Sequence, residues 1–94
     1  MNTILERYDL VKEIRLTFDG IDQKIIGRLY EIVIGGLDYK YTWEINYYCR
    51  IPGEAETYKP GGQYSNNLQD IEDKFIKYAM RFENQNMIEL NSSF

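Results

Sequence analysis

Residues 39–49 read YKYTWEINYYC, and their alternation decides the fold. Tyr39, Tyr41, Trp43, Ile45, Tyr47 and Cys49 share one side of an extended chain, while Lys40, Thr42, Glu44, Asn46 and Tyr48 share the other. A period of two is the signature of a half-buried strand, so the spacing predicts a strand over residues 39–50. Its aromatic side needs a cover. The tyrosine and tryptophan stripe reads as the sheet surface beneath a helix and not as a base-stacking platform, because an RNA-binding sheet would want more basic neighbours than Lys40 and Arg50.

Working upstream, Ile14, Leu16 and Phe18 alternate with Glu13, Arg15 and Thr17, which predicts a strand over 11–18 that ends at the turn pair Asp19-Gly20. Residues 24–34 are rich in β-branched side chains, but Ile25 and Ile26 fall on opposite sides around Gly27. A strand with a bulge near Gly27 is the expectation. Gly35-Gly36 supplies the next turn. Short turns join neighbouring strands only when those strands run antiparallel.

Downstream the period changes. Leu68, Ile71, Phe75, Tyr78, Ala79 and Phe82 follow helical spacing, with charged residues opposite them, so an amphipathic helix is expected over about 67–84. Asn67 is the N-cap candidate, and Asp70 with Lys74 and Asp73 with Lys77 are spaced for ion pairs. A short element around Thr3 to Tyr8 and a small strand at NMIEL, residues 86–90, complete the reading. The fold class is therefore α+β: a three- or four-stranded antiparallel β-meander packed against one C-terminal amphipathic helix, a single domain over residues 1–94.

Composition limits the function. Hydrophobic residues make up 44% and charged residues 28%, which suits a folded globular chain. The longest apolar run is a few residues and charges interrupt the N-terminal stretch, so no membrane span or secretory leader is expected. Eleven Lys and Arg against fifteen Asp and Glu leave a net charge of -4, which weighs against direct nucleic-acid binding. The single Cys49 fits a small buried hydrophobe in a reducing cytoplasm.

Histidine is absent, which removes Ser-His, Cys-His and His-metal chemistry from this chain. The carboxylate pairs closest in sequence, Asp19 with Asp22 and Glu54 with Glu56, lie in polar turn segments and read as solvated. Asp19, Gly20 and Asp22 lack the ligand spacing of an EF-hand. Between residues 51 and 65 lies a loop holding Pro60-Gly61-Gly62, which lacks the Gly-Lys-Ser/Thr of a phosphate cradle. It is expected to be a turn that holds no nucleotide. No catalytic residue, metal or cofactor is expected.

What remains is binding. Nine tyrosines are many for 94 residues, and Tyr48, Tyr58 and Tyr64 fall outside the aromatic stripe. Tyrosine suits interfaces, so these three, with Glu54 and Glu56 of the same loop, are the expected partner-binding residues. In type, though by no shared motif, a very small, acidic, tyrosine-rich chain without catalytic residues resembles phage and mobile-element inhibitors such as anti-CRISPR proteins. That resemblance implies a non-enzymatic inhibitor that occludes a protein partner such as a basic host defence nuclease in the host cytoplasm. The alternatives are an accessory subunit or homodimeric structural protein, and a small-ligand pocket protein.

Overall fold

The computed structural model describes residues 2–35, 38–50, 59–83 and 87–94. A four-stranded antiparallel sheet packs against the C-terminal helix, so the fold is α+β as the periodicities predict. β1 (Arg7–Phe18) and β2 (Ile21–Ile34) form a long hairpin, closed at Asp19-Gly20 where Gly20 takes a φ of +86°. β3 (Tyr41–Ile45) pairs with the segment of β2 from Gly27 to Glu31, and β5 (Tyr64–Ser65) adds to the outer edge of β3. Both hairpin strands begin earlier than predicted, and the short element expected near Thr3 to Tyr8 proves to include the start of β1.

The strand predicted over 39–50 is not continuous. It breaks at Asn46, after which β4 (Tyr47–Cys49) leaves the main sheet and pairs with β6 (Ile88–Leu90), within the segment where a small strand is expected. Asn46 is buried, and its side chain imitates a ladder: Oδ1 accepts from the Ile26 N–H at 2.8 Å and Nδ2 donates to the Lys24 carbonyl at 2.9 Å. Its own N–H donates to the Ile26 carbonyl at 3.1 Å, and its carbonyl accepts from the Asn91 N–H at 2.8 Å. One residue thereby ends the pairing with β2 and hands the chain to the second sheet. Buried polar groups persist only when bonded in this way.

The bulge expected at Gly27 is also absent. Gly27 stands in regular register with Ile14 on one side and Ile45 on the other, and the register of β1 with β2 shifts elsewhere, between Arg7 and Tyr8, between Leu10 and Lys12 and between Leu16 and Phe18. The glycine has another cause. A β-carbon built on it would sit 2.2 Å from Cε1 of Phe75, so the helix packs where the sheet has no side chain.

α1 (Leu68–Ala79) begins at the predicted cap, where Asn67 Oδ1 accepts from the Asp70 N–H at 3.0 Å. Ser65 Oγ donates to Asp70 Oδ2 at 2.6 Å and accepts from the Asn67 N–H, tying the helix start to β5. The ion pair of Asp70 with Lys74 forms at 3.3 Å. That of Asp73 with Lys77 does not, because Asp73 accepts from Gln69 Nε2 instead. A 3-10 turn (Met80–Glu83) follows and buries Phe82. Trp43 centres the core, with its ring 5.6 Å from that of Phe75 and 5.8 Å from that of Tyr78. Cys49 is a free, buried thiol, as its apolar surroundings predict.

Candidate functional site

The helix covers one face of the sheet. The other face is read from the register, since directly opposed residues of paired strands point to the same side. Leu10 lies opposite Tyr30, Tyr30 opposite Thr42, and Thr42 opposite Tyr64, so a single row crosses all four strands. Tyr8 and Ile32 form the next row. Tyr39, expected beneath the helix, is exposed and stacks on Tyr64 with ring centroids 5.7 Å apart.

Part of this face is occupied by the chain itself. The Phe94 ring lies 4.2 Å from the Arg28 guanidinium, and Asn91 Nδ2 donates to the Ile45 carbonyl, which brings the C-terminal segment across that end. Beside it, Glu13 accepts from both Arg15 Nε and Arg28 Nε at 3.0 Å, and these two guanidiniums hold its carboxyl below the usual carboxylate range. The tyrosine rows remain open.

Within them lies a cleft of 360 Å³, lined by Tyr8, Tyr30, Thr42, Glu44 and Tyr64. Tyr30 Oη donates to Glu44 Oε1 at 2.7 Å, which orients the carboxylate. Burial, with the Glu44 carboxylate second, pushes the Tyr30 hydroxyl above its ordinary value, so it remains a donor at neutral pH. Three aromatic rings around one oriented carboxylate are the chemical groups that an organic cation interacts with favourably. A guanidinium or ammonium can meet the carboxylate directly and lie over the ring faces.

Of the residues expected to bind a partner, Tyr64 lies in this cleft. Tyr48 is half-buried in β4 and packs against the core. Glu54, Glu56 and Tyr58 lie outside the described residues. Tyr8, Tyr30 and Glu44 were not foreseen, because each comes from a different strand and only the register brings them together. Thr42 and Glu44 did occupy the polar stripe opposite Trp43, and that alternation is the one signal which could have placed them.

No protein-family model, curated protein or solved structure matches the chain. Among the described residues no helix is long and apolar enough to cross a membrane.

Proposed function

We propose that this chain is a non-enzymatic binding protein that covers a basic surface of a macromolecular partner, with the tyrosine and glutamate cleft as its anchor. The observation that carries the reading is the pairing of Glu44 with Tyr30 among exposed tyrosines on the face opposite the helix. An arginine or lysine from the partner exchanges its hydration for a carboxylate and aromatic faces. The net charge of -4 favours encounter with a basic surface. Tyrosine supplies broad contact area at low rotamer cost, which suits an anchor. Proteins rich in surface arginine and lysine are chiefly those that bind nucleic acid, so the partner class is a basic nucleic-acid-binding protein. Within that class the reading is an anti-CRISPR-like inhibitor, encoded by a phage or mobile element, that occludes a host defence nuclease in the host cytoplasm.

The experiment is capture from a host lysate with wild-type protein and with the variants Glu44→Lys and Tyr64→Ala. The expected result is a basic nucleic-acid-binding protein that the wild type retains and Glu44→Lys loses. Undiminished retention by both variants would reject the cleft.

A second reading has its own observation. Ile4, Leu5, Val11, Val33 and Ile34 are exposed toward the open end of the β1-β2 hairpin, and β1 is an unpaired edge of the sheet. Edge strands with apolar neighbours favour pairing with another chain, which suits a homodimer or accessory subunit. Light scattering separates the two: a mass that doubles with concentration, and returns to the monomer in Val11→Lys, supports self-association.

A further inference from the structure

Glu13 on β1, Arg28 on β2 and Glu44 on β3 stand directly opposite one another, so one row of the open face reads acid, base, acid across three strands. It lies next to the row of Leu10, Tyr30, Thr42 and Tyr64 that carries the cleft. Directly opposed residues of antiparallel strands have β-carbons only about 4.5 to 5.5 Å apart, so the Arg28 side chain is long enough to meet the carboxylate on either side.

The structure shows which one it takes. Arg28 Nε donates to Glu13 Oε1 at 3.0 Å, and among the described residues no ion pair joins Arg28 to Glu44. Glu44 Oε1 accepts from Tyr30 Oη instead. Glu13 holds a second guanidinium, Arg15, through its other oxygen. The Phe94 ring lies 4.2 Å from the Arg28 guanidinium, and its own chain is fixed by bonds from the Phe94 N–H to the Asn91 carbonyl and from Asn91 Nδ2 to the Ile45 carbonyl. Glu13 first, and the Tyr30 hydroxyl after it, raise the Arg28 guanidinium above its ordinary value. The arginine nearest the cleft is thus engaged on the side away from Glu44.

We infer that Arg28 is a tethered competitor for the Glu44 carboxylate, and that Glu13, by holding its guanidinium, keeps the cleft open to a cation from outside. This rests on the reading of the cleft as a cation site and adds the residue that sets its availability. Glu13 is a positioning residue, because it acts on the cleft through Arg28. Once released, Arg28 meets Glu44 as an intramolecular rival that gives up little freedom in doing so, and a partner's arginine has to displace it.

The test uses NMR of the isotope-labelled protein. The Arg28 Nε–H signal is followed on introducing Glu44→Gln, once in the wild type and once in Glu13→Gln. The signal is expected to stay in place in the wild type and to shift in Glu13→Gln, where Arg28 has turned to Glu44. An equal response in the two backgrounds would overturn the inference, whether or not any peptide binds. Titration with an arginine-rich peptide supplies the second measurement. Arg28→Gln is expected to strengthen binding by less than about twofold in the wild type and by about three- to fivefold in Glu13→Gln, since only there does it remove a competitor as well as a charge. Effects that simply add would reduce both residues to distant charges and overturn the competition. A wild type that binds no arginine peptide would reject the cation site itself, and the Arg28 signal would still decide whether Glu13 holds the arginine away from Glu44.

Discussion

The ring of Phe75 fills the space that a side chain on Gly27 would need, with Cε1, Cζ and Cδ1 all within 2.7 Å of the β-carbon position. Helix and sheet meet at this point, and it sets how closely α1 lies on β2 and β3. Gly27→Ala is expected to destabilise the fold by about 1 to 3 kcal/mol through overpacking, although alanine has no backbone difficulty in a strand. Phe75→Ala removes a fully buried ring and is expected to cost about 3 to 5 kcal/mol. Urea titration of Gly27→Ala, of Phe75→Ala and of the two combined checks the contact. The double variant should be more stable than the sum of its parts implies, and simple additivity would show that the two sites do not touch.

Asn46 is the hinge between the two sheets, and it gives a sharper prediction than its size suggests. Asn46→Ala leaves the Ile26 N–H and the Lys24 carbonyl without their partners, at an expected cost of about 1 to 3 kcal/mol each. Asn46→Asp keeps the acceptor for Ile26 but sets a carboxylate oxygen against the Lys24 carbonyl. Chemical denaturation should therefore find Asp no better than Ala near neutral pH and partly recovered in acid, where a protonated carboxyl can donate. A fully stable Asn46→Asp protein at neutral pH would contradict the bonding described.

Tyr78 makes the stability depend on alkaline pH. Its hydroxyl accepts from the Cys49 N–H at 3.1 Å, and burial pushes its ionisation well above the ordinary value. A group whose folded pKa is raised contributes stability that is complete below its unfolded value, about 10 for tyrosine, and is lost as pH climbs toward the folded one. Tyr78→Phe keeps the ring and removes the titration, leaving the Cys49 N–H unpaired at about 1 to 2 kcal/mol. Denaturation between neutral pH and pH about 11 should show the wild type losing its advantage over Tyr78→Phe only above pH about 10. A constant difference across that range would exclude the buried phenol as the cause.

Much of the fold was legible because its signals are local. The period of two in β1 and β3, the helical spacing of Ile71, Phe75 and Tyr78, and the Asn67 cap each depend on residues a few positions apart. What escaped depends on distant partners. Asn46 sits on the polar stripe of an unbroken alternation, and only its bonds to Lys24, Ile26 and Asn91 reveal the break. Gly27 suggests a bulge by itself, and its true reason lies on the helix at Phe75. The candidate cleft needs the register of four strands, and imperfect alternation in β2 does not specify one.

The central claim is that the cleft between Tyr8, Tyr30, Glu44 and Tyr64 receives a cationic side chain of a partner. NMR titration with a short arginine-rich peptide, and with the same peptide carrying glutamine in place of arginine, tests it most directly. Saturable shifts confined to Tyr8, Tyr30, Thr42, Glu44 and Tyr64, seen with the arginine peptide alone and abolished by Glu44→Lys without a change in melting temperature, are the predicted result. Shifts centred instead on Asp70 and Asp73 of the helix, or shifts that survive Glu44→Lys, would contradict it.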